Sequence, residues 1–223
     1  MSNIETIFNG LSKTSTKWSG YFDVYEHHLA RFKNRSPRIL EIGVLGGGSI
    51  EMWHKYFGVG TFVVGVDINP DCLNYQYDGD TNIVMGDQSD PEFWKSFLEK
   101  YVEFDIVIDD GGHTMDQQLT TLQYVFPHVK TNGTYIVEDT HTSYWENWGG
   151  GYGKKDTFLN RAKGITDIMN QQHFKEPHIS QEVLDCFQGL YSTTFYNSMV
   201  VFEKRKLQPF IIRDNSTLTL NIG

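Results

Sequence analysis

The sequence predicts an α/β fold with a mostly parallel sheet and helices on both faces. Short strand-like runs alternate with helix-like patterns along the chain. The strand-like runs are almost continuously apolar, which is typical of parallel strands that are buried on both faces. Several of these runs end in acidic residues, and ligands of open parallel sheets bind at the carboxyl ends of the strands.

Six segments carry the strand pattern, and the last of them is long enough to form an antiparallel hairpin. They are residues 37–44, 61–69, 82–87, 104–110, 134–139 and 193–204. We expect a single domain over residues 1–223. It would comprise an N-terminal helical cap (1–36), a core (37–204) and a C-terminal tail (205–223).

Helix start signals separate these strands. Ser49 is a predicted N-cap for residues 49–57, and Asp90 followed by Pro91 predicts a helix over 90–101. Thr114 and Gln117 fit a capping box, in which each side chain bonds the other residue's backbone N–H. A further amphipathic helix is predicted over 156–171.

The composition restricts the classes of function. A formal charge of −9 argues against a binder of nucleic-acid backbones, because that affinity comes from Lys and Arg. No signal peptide or bilayer-length apolar run is present, so we expect a cytoplasmic protein that does not bind membranes. Cys72 and Cys186 are interpreted as reduced thiols.

A glycine-rich turn, "EIGVLGGGS" (41–49), joins the first strand to its helix. Asp67 ends the next strand, and an acidic residue about 20 residues after the first glycine bonds ribose hydroxyls in nucleotide-binding folds. The pattern Glu41, Gly43, Gly47 lacks the second glycine of the NAD fingerprint, and Glu41 would repel a pyrophosphate. These residues favour a cofactor with an amino-acid tail, S-adenosylmethionine, whose adenine amino group Asp87 and Gln88 could receive.

Three carboxylates and one histidine follow two neighbouring strands. They are Asp110, Glu138, Asp139 and His113. Oxygen ligands of this kind suit Mg²⁺, which keeps several waters in its coordination shell. Strand alternation alone leaves open whether Asp109 or Asp110 faces the metal.

Several segments resemble known S-adenosylmethionine-dependent methyltransferases of the Rossmann-like class I. "LEIGVLGGGSIEMW", "VVGVDINP" and "VMGDQSDPEF" are similar to the first motifs of that class. "IDDGGHT" and "VEDTHTSYW" resemble more specifically the metal-dependent macrocin and mycinamicin sugar O-methyltransferases and the cephalosporin hydroxylase-like proteins. The resemblance extends over roughly residues 10 to 204. Relatives often carry histidine where this chain has Ser19.

The resemblance implies a role for each residue of the acidic cluster. It implies Asp110, Glu138 and Asp139 as metal ligands and His113 as the general base, with Asp109 beside the cofactor site. His141, Tyr144 and Trp145 lie in or next to an aromatic, glycine-rich segment (142–158) that is a candidate acceptor wall.

The sequence therefore predicts Mg²⁺-dependent methylation of a hydroxyl in a small molecule, with a sugar or another vicinal diol as the acceptor and a role in natural product biosynthesis. Two alternatives are an NAD-dependent dehydrogenase and a non-catalytic cofactor-binding protein. Methylation of nitrogen or of a catechol also stays open. The resemblance further suggests self-association into a homo-oligomer.

Overall fold

Seven strands form one sheet in the order β3-β2-β1-β4-β5-β7-β6 in the computed structural model, which describes residues 3–208 and residue 211. The first five strands run parallel, and β7 and β6 add an antiparallel pair at one edge. The predicted parallel sheet and late hairpin are both confirmed. The strands are β1 Arg38–Ile42, β2 Phe62–Asp67, β3 Asp80–Met85, β4 Phe104–Asp109, β5 Val129–Val137, β6 Leu190–Tyr196 and β7 Met199–Lys204.

Seven α-helices lie along the described part of the chain. They are α1 Asn3–Phe8, α2 Tyr21–Leu29, α3 Gly48–Phe57, α4 Pro91–Lys100, α5 Met115–Val125, α6 Phe158–Asn170 and α7 Gln181–Cys186. The sequence patterns predicted α3, α4 and α6 within two residues at each end and the start of α5, whereas the short α7 was not predicted.

Local capping chemistry accounts for where two helices begin. The Asp90 side chain accepts from the Glu92 N–H at the start of α4, with Pro91 at the first helical position. Thr114 and Gln117 form the predicted capping box at the start of α5. The prediction that Ser49 caps α3 was wrong. The cap is Gly47, whose φ of 80° is in the left-handed region, and Ser49 lies inside the first turn.

Two apolar layers cover the sheet. On one face, α1, α2 and α3 contribute buried residues such as Ile4, Tyr25 and Trp53. On the other face, α4, α5 and α6 contribute residues such as Phe97 and Leu122. The strands contribute to both layers, since successive side chains point to opposite faces.

The carboxyl ends of the central strands are joined by backbone hydrogen bonds just beyond the sheet. Gly43 donates to the Val66 carbonyl, Asp110 donates to the Ile42 carbonyl, and Glu138 donates to the Asp109 carbonyl, all at 2.8–2.9 Å. These bonds hold the polar ends of β1, β4 and β5 in fixed register.

The N-terminal segment is attached to α3 before it reaches the strand ends. The backbone N–H groups of Ser12 and Lys13 donate to the Glu51 carboxylate, and the Thr14 carbonyl accepts from Gly48 N–H. Residues 12–25 therefore follow a defined course across the edge of the sheet.

Three further predictions concern the chain as a whole. Cys72 and Cys186 are free thiols. Across residues 3–208, no helix is long and apolar enough to cross a membrane. Of the tail after Lys206, the structure describes only Leu207, Gln208 and Ile211, and the rest lies outside the described residues.

Candidate active site

A cavity of about 950 Å³ opens at the carboxyl ends of β1 to β5. It lies where β1 is flanked by β2 and β4, so the chain leaves the sheet in two directions at this point. Eight of the predicted site residues line the wall: Gly43, Asp67, Asp87, Gln88, Asp110, His113, Glu138 and Asp139.

The glycine-rich turn packs so closely that side chains would not fit. Gly43 has a φ of +91°, and a Cβ there would lie 2.0 Å from the Asp110 carbonyl oxygen. A Cβ at Gly46 would lie 2.6 Å from the Thr14 carbonyl oxygen. Gly47 is not part of the cavity wall and packs against the Tyr77 hydroxyl. The turn therefore brings backbone against both the strand ends and the N-terminal segment.

Asp67 holds this turn in place while it lines the cavity. Its Oδ2 accepts from the backbone N–H groups of Val44 and Leu45 at 2.8 and 3.0 Å. Asp87, at the end of β3, accepts from the backbone and hydroxyl of Ser89. Both carboxylates keep lone pairs that a ligand could use.

Gln88 and Asp109 form a buried pair on the α5 side of the sheet. Gln88 Nε2 donates to Asp109 Oδ1 at 2.8 Å, and Gln88 Oε1 accepts from Gly112 N–H at 2.7 Å. Burial raises the pKa of Asp109 to about 7. Asp109 is fully buried outside the cavity wall, so its predicted contact with the cofactor stays a prediction.

Glu41 is also fully buried and does not line the cavity. Its Oε2 accepts from Trp53 Nε1 at 3.1 Å, which directs the carboxylate towards α3. Its predicted role at the cofactor site stays a prediction.

Asp110, His113 and Asp139 lie close enough to hold one metal ion, with a ligand atom of each within 4.8 Å of the others. His113 Nε2 lies 3.9 Å from Asp110 Oδ1 and 3.6 Å from Asp139 Oδ2. Asp110 Oδ1 and Asp139 Oδ2 are therefore turned towards the histidine. The neighbouring Asp109 points to the opposite face, where it bonds Gln88. The tertiary structure thus decides which of the two aspartates faces the cluster.

Two residues of this cluster have unusual backbone conformations. His113 and Asp139 have φ values of 59° and 52°, in the left-handed region that non-glycine residues seldom adopt. The Thr142 hydroxyl donates to the His113 carbonyl at 2.7 Å and keeps that turn in position. Such strain is often found at functional sites.

Burial lowers the pKa of His113, although the carboxylates of Asp110 and Asp139 oppose this. The imidazole is thereby favoured in its neutral form, which can accept a proton.

Four residues of the N-terminal segment contact the acidic residues, and sequence reasoning missed all of them. Lys17 Nζ donates to Asp110 Oδ2 at 2.5 Å and to both Glu138 oxygens at 3.0 Å. Tyr25 donates to Glu138. Tyr21 and Trp18 donate to Asp139 Oδ1 at 2.6 and 3.1 Å. The spacing of Tyr21 and Tyr25 places both on one helix face, but no local pattern indicates what they contact.

The segment after β5 places aromatic rings around the cluster. The Nδ1 atom of His141 and the hydroxyl of Ser198 share a hydrogen bond, and the ring centroids of His141 and Trp145 lie 4.5 Å apart. The Trp18 ring lies 6.2 Å from His141 on the other side, and Trp148 lies 6.1 Å from His113. Tyr144 is half exposed, and neither Tyr144, Trp145 nor His141 belongs to the wall of the large cavity.

The residues fit the groups that the sequence predicted. The donor set is made of carboxylate oxygens, and two of them converge beside a histidine, as a hard divalent cation requires. The cavity is large enough for a nucleoside-sized ligand, and acidic groups from β2 and β3 line one part of it.

Curated relatives were found by sequence comparison, whereas no family model matches the chain. It is 36% identical over 162 residues to demethylmacrocin O-methyltransferase of Streptomyces fradiae, covering 68% of this chain and 40% of the relative. It is 32% identical over 193 residues to mycinamicin VI 2''-O-methyltransferase of Micromonospora griseorubida, covering 81% and 47%. The chain thus spans about half the length of the curated relatives it matches.

A solved structure agrees with the sequence relatives. It is the MycE methyltransferase of the mycinamycin biosynthetic pathway in complex with Mg, SAH and mycinamycin VI. The TM-score is 0.79 at 27% identity, and the match covers 96% of this chain and 57% of the other. By sequence and by fold, this chain belongs among the homologues of the macrocin and mycinamicin sugar O-methyltransferases and has the Rossmann-like fold of class I methyltransferases.

Proposed function

We propose that this chain transfers the methyl group of S-adenosylmethionine to a hydroxyl of a small molecule in a reaction that depends on Mg²⁺. The observation that carries the proposal is the convergence of Asp110, His113 and Asp139 at one side of a cavity built from five strand ends. The structure of the related MycE methyltransferase is a complex with Mg and SAH, which supports a divalent cation and S-adenosylmethionine as the cofactors here.

The cofactor would lie along the glycine-rich turn. Asp67 would accept hydrogen bonds from the ribose hydroxyls, and Asp87 with Gln88 would receive the adenine. A side chain at Gly43 would collide with the Asp110 backbone, so the glycine keeps this turn against the strand end that lines the cavity.

Asp110, Glu138 and Asp139 would hold the divalent cation. When bound, such a cation acts as a Lewis acid that lowers the pKa of a coordinated hydroxyl and fixes its orientation. His113, whose neutral form burial favours, would take the hydroxyl proton on Nε2, the nitrogen that faces the two aspartates. The oxygen would then attack the sulfonium methyl in line, so that an O–C bond forms while the S–C bond breaks and S-adenosylhomocysteine leaves.

For the acceptor, we propose a sugar or another vicinal diol carried by a natural product, since two adjacent oxygens can chelate one cation. The names of the relatives point to sugar-bearing antibiotics. His141, Tyr144 and Trp145 are proposed as contacts to the acceptor. His141 lies 4.0 Å from Asp139, its ring centroid lies 4.5 Å from that of Trp145, and Tyr144 and Trp145 are half exposed. We further propose that the chain self-associates, which light scattering would test.

The proposal is tested by methyl transfer to a panel of glycosides, read by mass spectrometry as the gain of one methyl group. We expect activity on a sugar with adjacent hydroxyls, loss of activity in EDTA, and recovery with Mg²⁺. Matched deoxy sugars that lack one of the two hydroxyls should react poorly. Full activity in excess chelator would exclude the metal mechanism, and exclusive methylation of amines or catechols would exclude the proposed acceptor class.

A further inference from the structure

Lys17 is a buried cation that the proposed chemistry does not use. Its side chain is 1% exposed, and its ammonium lies between Asp110 and Glu138, two of the three proposed metal ligands. Burial by itself would lower the pKa of Lys17, but the carboxylates of Asp110, Glu138 and Glu41 raise it above the ordinary value. The distances of 2.5 and 3.0 Å show an ammonium paired with both carboxylates. A buried ammonium that lost these partners would need another carboxylate.

Glu41 is a third carboxylate near Lys17, close enough to raise the pKa of the lysine, and its hydrogen bonding is incomplete. Its Oε2 bonds Trp53, whereas its buried Oε1 has no hydrogen-bond partner of acceptable geometry among the described residues. Burial raises the pKa of Glu41 to about 7, a rise that Lys17 and Ser49 oppose. Ser49 lies near this carboxylate, but Oε1 has no well-aligned donor. A buried carboxylate oxygen with incomplete hydrogen bonding is costly, so this atom could accept a bond from a nearby cation.

We propose that Lys17 is an internal counter-ion with two sets of partners. It pairs with Asp110 and Glu138 when no divalent cation is bound, and it moves to Glu41 Oε1 when a divalent cation takes those two carboxylates. The inference rests on the proposed cation site, and it assigns Lys17 and Glu41 as positioning residues of that site.

Charge balance supports an exchange of partners. Without a divalent cation, Lys17 offsets part of the charge of Asp110, Glu138 and Asp139. After the exchange, the cation neutralises most of those three charges, and Lys17 with Glu41 forms a separate neutral pair. After the exchange, neither Lys17 nor Glu41 is left buried without an opposite charge, which limits the desolvation cost.

We assign the exchange to the side chain of Lys17 and not to the backbone that carries it. The preceding backbone is attached to α3 through Ser12, Lys13 and Thr14, and Tyr21 and Tyr25 keep their own bonds to the strand-end carboxylates. A lysine has four carbons between backbone and ammonium and can present its charge to two places from one backbone position.

The test is a double-mutant cycle on Mg²⁺ affinity, measured by calorimetry on the full chain without cofactor. Lys17→Met removes the competing cation and should tighten Mg²⁺ binding, on the order of tenfold. Glu41→Gln keeps the acceptor for Trp53 but removes the charge that receives Lys17, and it should weaken binding several-fold. In the Lys17→Met background, Glu41→Gln should have almost no further effect.

Controls separate this coupling from a general loss of charge. Lys13→Met removes the same charge outside the cluster and should leave the affinity almost unchanged. Lys17→Gln is a second uncharged variant, used if Lys17→Met does not fold, and it should repeat the pattern. An equal effect of Glu41→Gln in both backgrounds, or no tightening in either Lys17 variant, would overturn the inference alone. If the unmodified chain binds no Mg²⁺, the proposed cation site itself is wrong.

Discussion

Asp110 and His113 are three residues apart in sequence and have different proposed tasks. Asp110→Asn removes one anionic ligand, so we expect much weaker Mg²⁺ binding and loss of most turnover. His113→Ala removes no carboxylate, so the cation and cofactor should still bind while turnover falls by roughly 10²–10⁴-fold, the usual share of a positioned base.

Calorimetry and single-turnover rates distinguish these two failures, and His178→Ala, at an exposed position, is the matched control. Near-normal turnover in His113→Ala would direct the search for the base to His141, which lies 4.0 Å from Asp139.

Asp67 has two tasks that a substitution would remove together. Asp67→Ala should weaken S-adenosylmethionine binding, because each charge-assisted hydrogen bond to ribose contributes roughly 1.5–3 kcal/mol. It should also loosen the glycine-rich turn, whose Val44 and Leu45 N–H groups lose their acceptor. Equilibrium binding measures the first effect and thermal unfolding the second. Asp71→Ala, an exposed acid just after β2, is the control, and unchanged cofactor affinity in Asp67→Ala would contradict the ribose assignment.

At the scale of elements, Thr114, the N-cap of α5, immediately follows His113. The cap therefore stabilises the helix and also ends the turn that carries His113. Thr114→Ala breaks the capping box with Gln117 and should lower the free energy of unfolding by about 1 kcal/mol. Urea unfolding followed by circular dichroism measures this loss.

Ser180→Ala removes the cap of α7, a short helix at the periphery, and should cost less. If Ser180→Ala lowered the free energy of unfolding as much as Thr114→Ala or more, the cap of α5 would not stabilise the protein more than the cap of a peripheral helix.

The contacts of the N-terminal segment were the least predictable from the sequence. Lys17 and Tyr25 donate hydrogen bonds to Glu138, and Trp18 and Tyr21 donate hydrogen bonds to Asp139. The segment is therefore a structural part of the acidic site as well as a cover for the cavity.

At the scale of the whole molecule, Glu203 on β7 joins the last strand along the chain to the region of α2. Its Oε1 accepts from Arg31 at 2.8 Å and pairs with His28 at 3.1 Å, both near the end of α2. The hydrogen bond to His28 is the largest cause that lowers the pKa of Glu203, followed by the hydrogen bond and charge of Arg31. Together they lower this pKa from 4.5 to about 2. Because the folded pKa is depressed, the stabilisation is present above about pH 4.5 and is lost as the pH falls towards 2.

Glu203→Gln should therefore reduce stability at neutral pH by roughly 1.5–3 kcal/mol, the range for a hydrogen bond to a charged group. The difference from the unmodified chain should shrink between about pH 4.5 and 2. Urea midpoints across this pH range measure it. Glu92→Gln breaks an exposed pair with Lys95 and should change little. A pH-independent difference in Glu203→Gln would show that the loss comes from packing and not from charge.

The order of elements could be predicted because the signals are local. Apolar runs, the Asp90–Pro91 start and the Thr114 capping box depend on residues within one or two turns of each other. The acidic cluster could be predicted for a related reason, since parallel strands bring their carboxyl ends to one edge. Ser49 misled because a left-handed glycine at position 47 already begins α3, a conformation that residue type alone does not reveal.

Only the tertiary structure decided what lies around that cluster. The choice between Asp109 and Asp110 depends on which face of the sheet each side chain meets, and the buried pair of Asp109 with Gln88 answers it. Lys17 contacts Asp110 and Glu138 across separations of 93 and 121 residues, and no periodicity or motif in one chain encodes a contact of that range. The sequence thus determined that carboxylates lie at the strand ends, because strand order and residue type are local. The ion pairs of Lys17 with two of these carboxylates were decided only by how the N-terminal segment packs across the sheet.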